Sequence, residues 1–308
     1  MWRRLRFTHT RATAWAMRAV GLSGSALLIG TLTMSTASAD TAQLTDLDKT
    51  IASQLPYCDV GTIGDPNPII KIDSTDVTNA NAVAHEVGEP SVSLGDGWYI
   101  GTSILTNDTD QALKLSTQSF TKKVPEAVST SVKNGVTFKG KVLGLLAQLA
   151  NVPAKFTNTT VNFAEKQVQE VSAMGTYTSP AQQIDVPPHT VAHVTVNLQK
   201  VEATGQLALE ATLGGTFDVV QYARDYSYGI GENNISLYDC LSTAQKKGKA
   251  PALPSTLALD NANKKVRFNG TGTYTATYGT NYLVNVTFAP QVSGAAVPKP
   301  FTRTITAR

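Results

Sequence analysis

The sequence predicts a mainly β protein with long antiparallel strands, divided into more than one domain. Polar and apolar side chains alternate over long windows rich in Thr, Ser, Val and Asn, which is the period of a half-buried strand. Helical spacing of apolar residues is restricted to short stretches. In the clearest stretch, residues 42–55, Leu44, Leu47, Ile51 and Leu55 recur every three or four positions and predict one amphipathic helix.

The first 39 residues have the composition of a signal peptide. An apolar stretch runs from Ala19 to Met34, and the small-x-small sequence Ala37-Ser38-Ala39 follows it. Five arginines precede the apolar stretch: Arg3, Arg4, Arg6, Arg11 and Arg18. We therefore expect residues 1–39 to be cleaved and the chain to be secreted. The alternative is an uncleaved N-terminal anchor.

Cleavage at this position changes the net charge of the protein. The full chain has 26 Lys and Arg against 23 Asp and Glu. Loss of five arginines and no acidic residue leaves 21 basic and 23 acidic side chains, a formal charge of −2. No basic excess remains to attract nucleic acid. Beyond the leader, no apolar run has the length of a transmembrane helix.

Cysteine occurs at two positions, Cys58 and Cys240. Export would bring both into an oxidising compartment, where an even number of cysteines usually pairs. We therefore expect a Cys58–Cys240 disulfide, and the alternative is two buried free thiols. The bond would place the N-terminal segment against the tyrosine-rich region 219–264.

A strand, an apolar tip and a returning strand are predicted between Val128 and Phe163. The rising strand alternates strictly and has one polar exception, Asn134, on its apolar face. That face consists of Val128, Thr130, Val132, Asn134, Val136 and Phe138. The tip, Val142–Ala150, breaks the alternation, and extended composition resumes from Phe156 to Phe163. A hairpin is one interpretation of the tip. A short helix is the other, because Val142, Leu145, Leu146 and Leu149 have helical spacing.

Further strands are predicted along the second half of the chain. Val168–Tyr177 has strand composition, and two later windows alternate clearly. One window places Ala192, Val194, Val196 and Leu198 on one face. The other does the same with Leu207, Leu209, Ala211 and Leu213. Two or three more strands follow between Val266 and Phe288.

The chain shows no recognisable catalytic, metal or cofactor site. His189 and His193 have the spacing of a zinc pair on a helix, but their flanks predict a strand. Positions i and i+4 of a strand lie about 13 Å apart, which is too far for one metal ion. The sequence contains neither a Gly-x-Ser-x-Gly nucleophile motif nor a standard phosphate loop. We therefore predict a protein that is not an enzyme and needs no cofactor or metal.

Several stretches resemble a known family when they are taken in order. They are Leu105–Thr109, Ser116–Phe120 with the strand that follows, Phe156–Thr160 and Ser179–Thr190, the last being the most specific. These stretches resemble the epsilon-toxin and mosquitocidal-toxin family of aerolysin-type β-pore-forming toxins. The likeness does not cover the N-terminal segment or the tyrosine-rich region.

The resemblance implies an elongated, multi-domain aerolysin-like fold and a toxin without a cofactor. Such proteins are released as soluble monomers, bind a receptor on a target membrane, form a homo-oligomer and insert one amphipathic hairpin per subunit into a β-barrel. The receptor class is a glycan, a lipid or a protein. The expected receptor-binding head comprises 40–97, and 219–264 is the candidate segment to complete it. The expected pore-forming region comprises 98–218 and 265–308, with the hairpin at about 130–162.

The resemblance also implies roles for individual residues. The expected membrane-inserting residues are Val132, Val136, Phe138, Val142, Leu143, Leu145, Leu146, Leu149 and Phe156. The expected lumen-facing residues are Thr137, Lys139 and Lys141. Candidate receptor-contact aromatics are Trp98, Tyr99, Tyr222, Tyr226 and Tyr228. A Val136→Asp change is expected to abolish membrane leakage and to leave the monomer folded.

Two other functions remain open at this point. The first is a secreted, non-enzymatic module that binds carbohydrate or a cell surface on the same scaffold and does not insert. Exposed aromatics could stack on sugar rings in such a module, although core packing is their commoner fate. The second is a secreted hydrolase, which ranks last because no catalytic constellation is visible.

Overall fold

The computed structural model describes residues 43–60, 69–137, 146–150, 159–164, 169–226, 228–294 and 296–307. The predicted signal peptide lies outside these residues. Strands far outnumber helices, and three of the strands have 30, 25 and 26 residues. The prediction of a mainly β fold with long antiparallel strands is therefore confirmed.

The strands and helices follow one another along the chain with these bounds. The first strands are β1 Gln43–Asp46, β2 Ile69–Thr75, β3 Thr78–Asn107, β4 Leu113–Ser116 and β5 Phe120–Thr137. Next come β6 Leu146–Ala150, β7 Thr160–Asn162, β8 Gln169–Ser179, β9 Gln183–Val186 and β10 Thr190–Gly214. The last are β11 Thr216–Tyr222, β12 Gly229–Ser236, β13 Leu257–Asp260, β14 Lys265–Pro290 and β15 Phe301–Thr306. The helices are α1 Leu47–Gln54 and α2 Leu237–Lys246, and a 3₁₀ turn spans Leu55–Tyr57.

One large sheet joins ten of the strands in the described part of the chain. Its order is β1-β5-β14-β10-β3-β6-β7, with β8 paired to β5 and with β13 and β15 paired to β14. A second sheet has the order β12-β11-β2, and β4 pairs with β9. The β1–β5 and β3–β6 pairings are parallel, whereas the other pairings are antiparallel.

The centre of the large sheet is β10, which pairs with β3 on one edge and β14 on the other over nearly its whole length. The two alternating windows predicted for this strand both have a buried face. The buried apolar residues of these two windows are Ala192, Val194, Val196, Leu198, Leu207, Leu209, Ala211 and Leu213. Because successive strand residues point to opposite faces, the polar residues between them lie on the other side.

A tyrosine on β14 bridges the three central strands. The ring of Tyr274 covers Gly205 of β10, where a Cβ atom would lie 2.4 Å from the Tyr274 Cε1 atom. The Tyr274 hydroxyl donates a hydrogen bond to the Glu86 carboxylate on β3. Burial and this neighbouring carboxylate raise the pKa of Tyr274. Only glycine at position 205 leaves room for this arrangement.

Helix α1 begins at Leu47, later than the predicted start, because residues 43–46 form β1 instead. The Asp46 carboxylate accepts a hydrogen bond from the Lys49 amide at 3.1 Å and caps the helix. Leu47, Ile51 and Leu55 form the buried stripe that their spacing predicts.

The expected disulfide joins Cys58 to Cys240 of α2, so the alternative of two free thiols is wrong. Helix α2 was not predicted, and the Ser236 hydroxyl caps it by accepting from the Asp239 amide. The bond fixes the end of the N-terminal segment against α2.

The described residues form two apolar cores. The first core surrounds the disulfide and combines α1 and α2 with Val132 and Val136 of β5, Phe163, and Phe268 of β14. The second core lies under the opposite half of the long strands and includes Phe120, Tyr177 and Tyr282. The chain from Phe120 to Val136 contributes to both cores, because β5 runs from one to the other.

A buried carboxylate on β5 accepts hydrogen bonds from donors on two neighbouring strands, β8 and β14. Glu126 is 5% exposed, and its Oε1 accepts from the Tyr177 hydroxyl at 2.5 Å and from the Gly279 amide at 3.1 Å. Gly175 provides the space, since a Cβ there would lie 2.4 Å from Glu126 Oε2. Burial, and then the hydrogen bond to Glu126, raise the pKa of Tyr177.

A Tyr177→Phe change should lower the free energy of unfolding by about 1–3 kcal/mol, because a buried carboxylate loses a donor. Tyrosine ionises near pH 10 in an unfolded chain, and the pKa of Tyr177 is higher in the folded protein. The stabilisation by the Tyr177 hydroxyl is therefore fully present below about pH 10 and is lost as the pH rises further. Urea unfolding between pH 7 and pH 11 measures both effects, and the variant should be less sensitive to alkali than the wild type. Tyr226→Phe, at a tyrosine that is 57% exposed, is the control. Equal stability of the two variants would contradict this account.

Candidate functional site

The predicted insertion segment connects two strands that pair with each other. β5 and β8 form an antiparallel ladder from Phe120 opposite Ser179 to Thr130 opposite Gln169. Residues 131–168 therefore form the connection of a β5–β8 pair. The predicted hairpin, 130–162, occupies most of this connection.

The two ends of this connection lie next to each other. The Val136 amide donates a hydrogen bond to the Phe163 carbonyl oxygen at 3.1 Å. Continuing the β5–β8 register beyond Thr130 would also place Val136 opposite Phe163. The chain thus leaves the sheet and returns at nearly the same point, as a hairpin connection requires.

The apolar side chains at these ends are hidden in the first core. Val132 and Val136 are 3% and 0% exposed, and Val161 and Phe163 are equally inaccessible. The ring of Phe163 packs 5.9 Å from that of Phe268. This burial overturns one expectation: Val136→Asp would place an unpaired carboxylate in the core, so the monomer is not expected to stay folded.

Several predicted site residues are described only in part. Thr137 is half-buried, and its hydroxyl donates to the Thr45 carbonyl oxygen at 3.4 Å. Leu146 and Leu149 belong to strand β6. The remaining predicted residues of the segment lie outside the described residues: Phe138, Lys139, Lys141, Val142, Leu143, Leu145 and Phe156.

The pairing of β6 corrects two interpretations of the tip. Leu146–Ala150 is a strand, so the helical alternative is wrong for these residues. The returning strand β7 pairs with β6, whereas a simple hairpin would pair it with β5. β6 also pairs in parallel with β3, with Leu149 opposite Ala84 and Ala150 opposite His85. Partners distant in sequence thus hold this part of the segment.

Three candidate receptor-contact aromatics gather beside the second sheet. The Tyr222 and Tyr226 rings lie 5.6 Å apart, and Tyr226 and Tyr228 are 57% and 51% exposed. The Lys71 ammonium lies 5.3 Å from the Tyr222 ring centroid and 5.7 Å from that of Tyr226. Lys71 was missed by sequence reasoning, because the pairing of β2 with β11 is what brings it here.

The other two candidate aromatics lie on β3 in the large sheet. Trp98 is partly buried against the second core, which makes it a packing residue. Tyr99 is 50% exposed, and the Lys122 ammonium lies 5.4 Å from its ring centroid and donates to its carbonyl oxygen. The five aromatics therefore divide between two sheets.

The histidine pair has no metal-site geometry. His189 precedes β10 and contacts the Asp110 carboxylate at 2.8 Å, whereas His193 lies on the strand. Among the residues that the structure describes, no cluster of three or more His, Cys, Asp or Glu could hold a metal ion. In the same residues, neither helix has the length and apolar character needed to cross a membrane.

Comparison with known proteins gives consistent results. The family model for Clostridium epsilon toxin ETX and Bacillus mosquitocidal toxin MTX2 matches residues 67–293. The fold is similar to that of the Mpp75Aa1.1 β-pore-forming protein from Brevibacillus laterosporus, with a TM-score of 0.59 and 18% identity over 86% of this chain and 97% of that one. The fold is also similar to that of a non-toxic crystal protein from Bacillus thuringiensis, with a TM-score of 0.57 and 17% identity over 82% of this chain and 100% of that one.

The Cry23Aa1 and Cry37Aa1 binary complex is a third structural relative, with a TM-score of 0.52 and 15% identity over 86% of this chain and 97% of that one. No curated protein sequence matches the chain. At these identities the solved structures show a shared fold.

Proposed function

Because the chain belongs to the Clostridium epsilon toxin and Bacillus mosquitocidal toxin family, we propose that it is a secreted, non-enzymatic β-pore-forming toxin. In this proposal the protein is released after removal of residues 1–39 and binds a glycan, lipid or protein receptor on a target membrane. It then forms a homo-oligomer and inserts one hairpin per subunit. The proposed head is 40–97 with 219–264, and the proposed pore-forming region is 98–218 with 265–308.

The observation that supports insertion best is the connection between β5 and β8. Its ends are adjacent, and each ladder strand runs directly into it. Extension of the ladder in the same register would pair Val136 with Phe163 and Phe138 with Val161. Both pairs are apolar, and directly opposite residues share a face. A barrel strand needs about 9–11 residues to cross a bilayer, which the connection supplies on each side of its midpoint.

The proposed faces follow from this alternation. Val132, Val136, Phe138 and Val142 would face lipid, with the leucines of the tip and Phe156 completing the inserted part. Thr137, Lys139 and Lys141 would face the aqueous lumen. Backbone groups of such strands are fully paired only when the barrel closes, so oligomerisation must precede insertion.

The cluster of Lys71, Tyr222, Tyr226 and Tyr228 is the proposed receptor contact. The side chains of Tyr226 and Tyr228 are more than half exposed. The Lys71 ammonium lies beside the rings of Tyr222 and Tyr226. Aromatic faces and a cation are typical of surfaces that bind sugar rings or polar headgroups. Tyr99 with Lys122 is a smaller, competing candidate on the other sheet.

Tyr226→Ala should reduce binding to susceptible cells by about tenfold, the effect of losing roughly 1.4 kcal/mol of contact energy. Its ring is exposed, so thermal unfolding should be unchanged. Tyr99→Ala is the matched variant, because this ring is also half exposed and lies beside a lysine. Flow cytometry of labelled protein measures binding. A larger loss with Tyr99→Ala would move the proposed contact to β3.

Vesicle permeabilisation tests the proposed function directly. The purified chain beginning at Asp40 should release dye from susceptible cells, or from liposomes made of their lipids. It should also form heat-resistant oligomers that electron microscopy resolves as rings. Absence of both dye release and rings on every membrane tested would overturn the proposal.

A non-inserting binding module is the second candidate function. The exposed aromatic cluster beside β11 favours it, because this cluster requires no insertion. Binding on a glycan array, combined with intact liposomes, would support this function over pore formation.

A further inference from the structure

The strands β3-β10-β14-β5-β8 lie side by side in the large sheet, and its two outer strands here are open to solvent. Residues 91–95 of β3 and residues 170–174 of β8 are all exposed. In the described part of the chain, neither window has a strand on its outer edge, since β6 reaches β3 only at residues 84–85 and β8 pairs only with β5. The unpaired backbone groups of such edges are templates for another strand.

The two windows lie at the same level of the sheet. One row of directly opposite residues crosses the five strands in the order Val92, Ala203, Ala276, Val128 and Val171. The three inner members are at most 1% exposed, whereas Val92 and Val171 are 56% and 46% exposed. The row therefore ends in an exposed apolar side chain on each edge.

β3 and β8 also run in the same direction, because the four pairings that separate them are all antiparallel. A second copy of the chain can therefore bring its β3 beside β8 without being inverted. We propose that β8 of one subunit pairs in parallel with β3 of the next, with Val171 opposite Val92, and that this pairing joins the subunits of the homo-oligomer. The inference rests on the proposed function and names the surface that its oligomer uses. The contact joins two different edges, and repetition of such a contact about an axis generates a ring.

The two windows lack the features that usually prevent pairing at an edge. The ladder of β8 with β5 has no register shift over residues 169–179, and β8 contains no proline or lysine and a single charged residue, Glu170. On β3 the protected part lies before the window, at Gly88 with a φ of +75° and at Pro90, which has no amide hydrogen to donate. Residues 91–95 pair with β10 without a register shift, so regular pairing can begin directly after Pro90.

The charges at the far end of the windows are complementary. Lys123 of β5 is exposed and lies opposite Thr176 of β8. In the proposed register Thr176 would lie beside Gly97 of the next subunit, adjacent to the exposed Asp96. The strands that carry Lys123 and Asp96 would then be two spacings apart, about 10 Å, which the two extended side chains can bridge.

A crosslink between copies tests the pairing. Ser172 and Ser93 of the next subunit would be directly opposite, at a Cα separation that a disulfide can join. Within one chain three strands separate them, about 19 Å in total, so an intramolecular bond cannot form. Oxidised Ser93→Cys/Ser172→Cys protein on target membranes should run on non-reducing gels as a ladder from the dimer to the complete oligomer. Ser93→Cys alone is the control and should give no band above the dimer.

Charge substitutions at the two ends of the row test the same pairing by function. Val92→Asp/Val171→Asp would place like charges opposite each other at every interface, so oligomer yield and dye release should fall by about tenfold. Val92→Asp/Val171→Lys would place opposite charges there and should restore both to within about twofold of the wild type. Cell binding and thermal unfolding should be unchanged in both variants, because the two valines are exposed. Val292→Asp, at a valine that is 56% exposed and lies outside both strands, is the control and should release dye normally.

The outcomes separate this inference from the proposed function. Absence of the crosslinked ladder while the oligomer forms, or equal dye release by the two charge variants, would overturn the pairing of β8 with β3 and leave pore formation standing. Absence of both oligomer and dye release with the wild type would overturn both.

Discussion

Oxidised His85→Cys/Ala150→Cys protein should lose nearly all dye release and retain cell binding. His85 of β3 and Ala150 of β6 are opposite each other in the parallel pairing. Adjacent strands lie 4.7–4.9 Å apart, within the range of a disulfide. The bond would tie the middle of the proposed insertion segment to a strand of the soluble sheet, and insertion requires that segment to leave.

The matched control is a crosslink that the proposed mechanism tolerates. Thr204 of β10 and Thr275 of β14 are opposite each other and exposed, within a ladder that stays paired throughout. Thr204→Cys/Thr275→Cys protein should release dye normally in the oxidised state. Release by the oxidised His85→Cys/Ala150→Cys protein at the control rate would remove this segment from the mechanism.

Removal of the disulfide should cause the largest loss of stability. Cys58 and Cys240 are separated by 182 residues, and crosslinks that close long loops restrict the unfolded chain most. Cys58→Ala/Cys240→Ala should lower the free energy of unfolding by roughly 3–5 kcal/mol. Guanidinium unfolding, monitored by tyrosine or tryptophan fluorescence, measures the change.

A neighbouring ion pair provides the control for this experiment. Asp59 follows the first cysteine, and its carboxylate contacts the Lys247 ammonium just beyond α2. Both side chains are exposed, so Lys247→Ala should cost less than about 1 kcal/mol. A double cysteine variant as stable as Lys247→Ala would show that the bond does not stabilise the native state.

Sequence reasoning predicted the buried faces of the long strands. The alternation from Val128 to Val136, from Ala192 to Leu198 and from Leu207 to Leu213 is visible because successive strand residues point to opposite faces whatever their partners are. Val128, Val132 and Val136 are all buried, and so is the apolar face of β10. The disulfide was also predictable, because an exported chain with two cysteines leaves one intramolecular pairing.

Strand partners could not be predicted in the same way, since pairing depends on residues far apart in the chain. The returning strand β7 pairs with β6, and β1 pairs with the end of β5 in parallel. The proximity of Lys71 to Tyr222 and Tyr226 likewise depends on β2 lying beside β11. None of these contacts leaves a local pattern in the sequence.

The omission of α2 has a different cause, because its signal is local. Ser236 is a good N-cap, Asp239 follows three positions later, and Leu237, Leu241 and Ala244 have helical spacing. Neither helix nor strand was predicted for the tyrosine-rich region 219–264. Burial of Leu237, Leu241 and Ala244 in the first core stabilises the helix.

The wide separation of the two cysteines also affects biogenesis. A ribosome adds about 5–20 residues per second, so the thiol at position 58 waits on the order of 10–40 s for its partner. Throughout that time the short helix beside it lacks the second helix that shields its apolar stripe. The apolar stripe of α1 therefore lacks this cover until α2 has been synthesised.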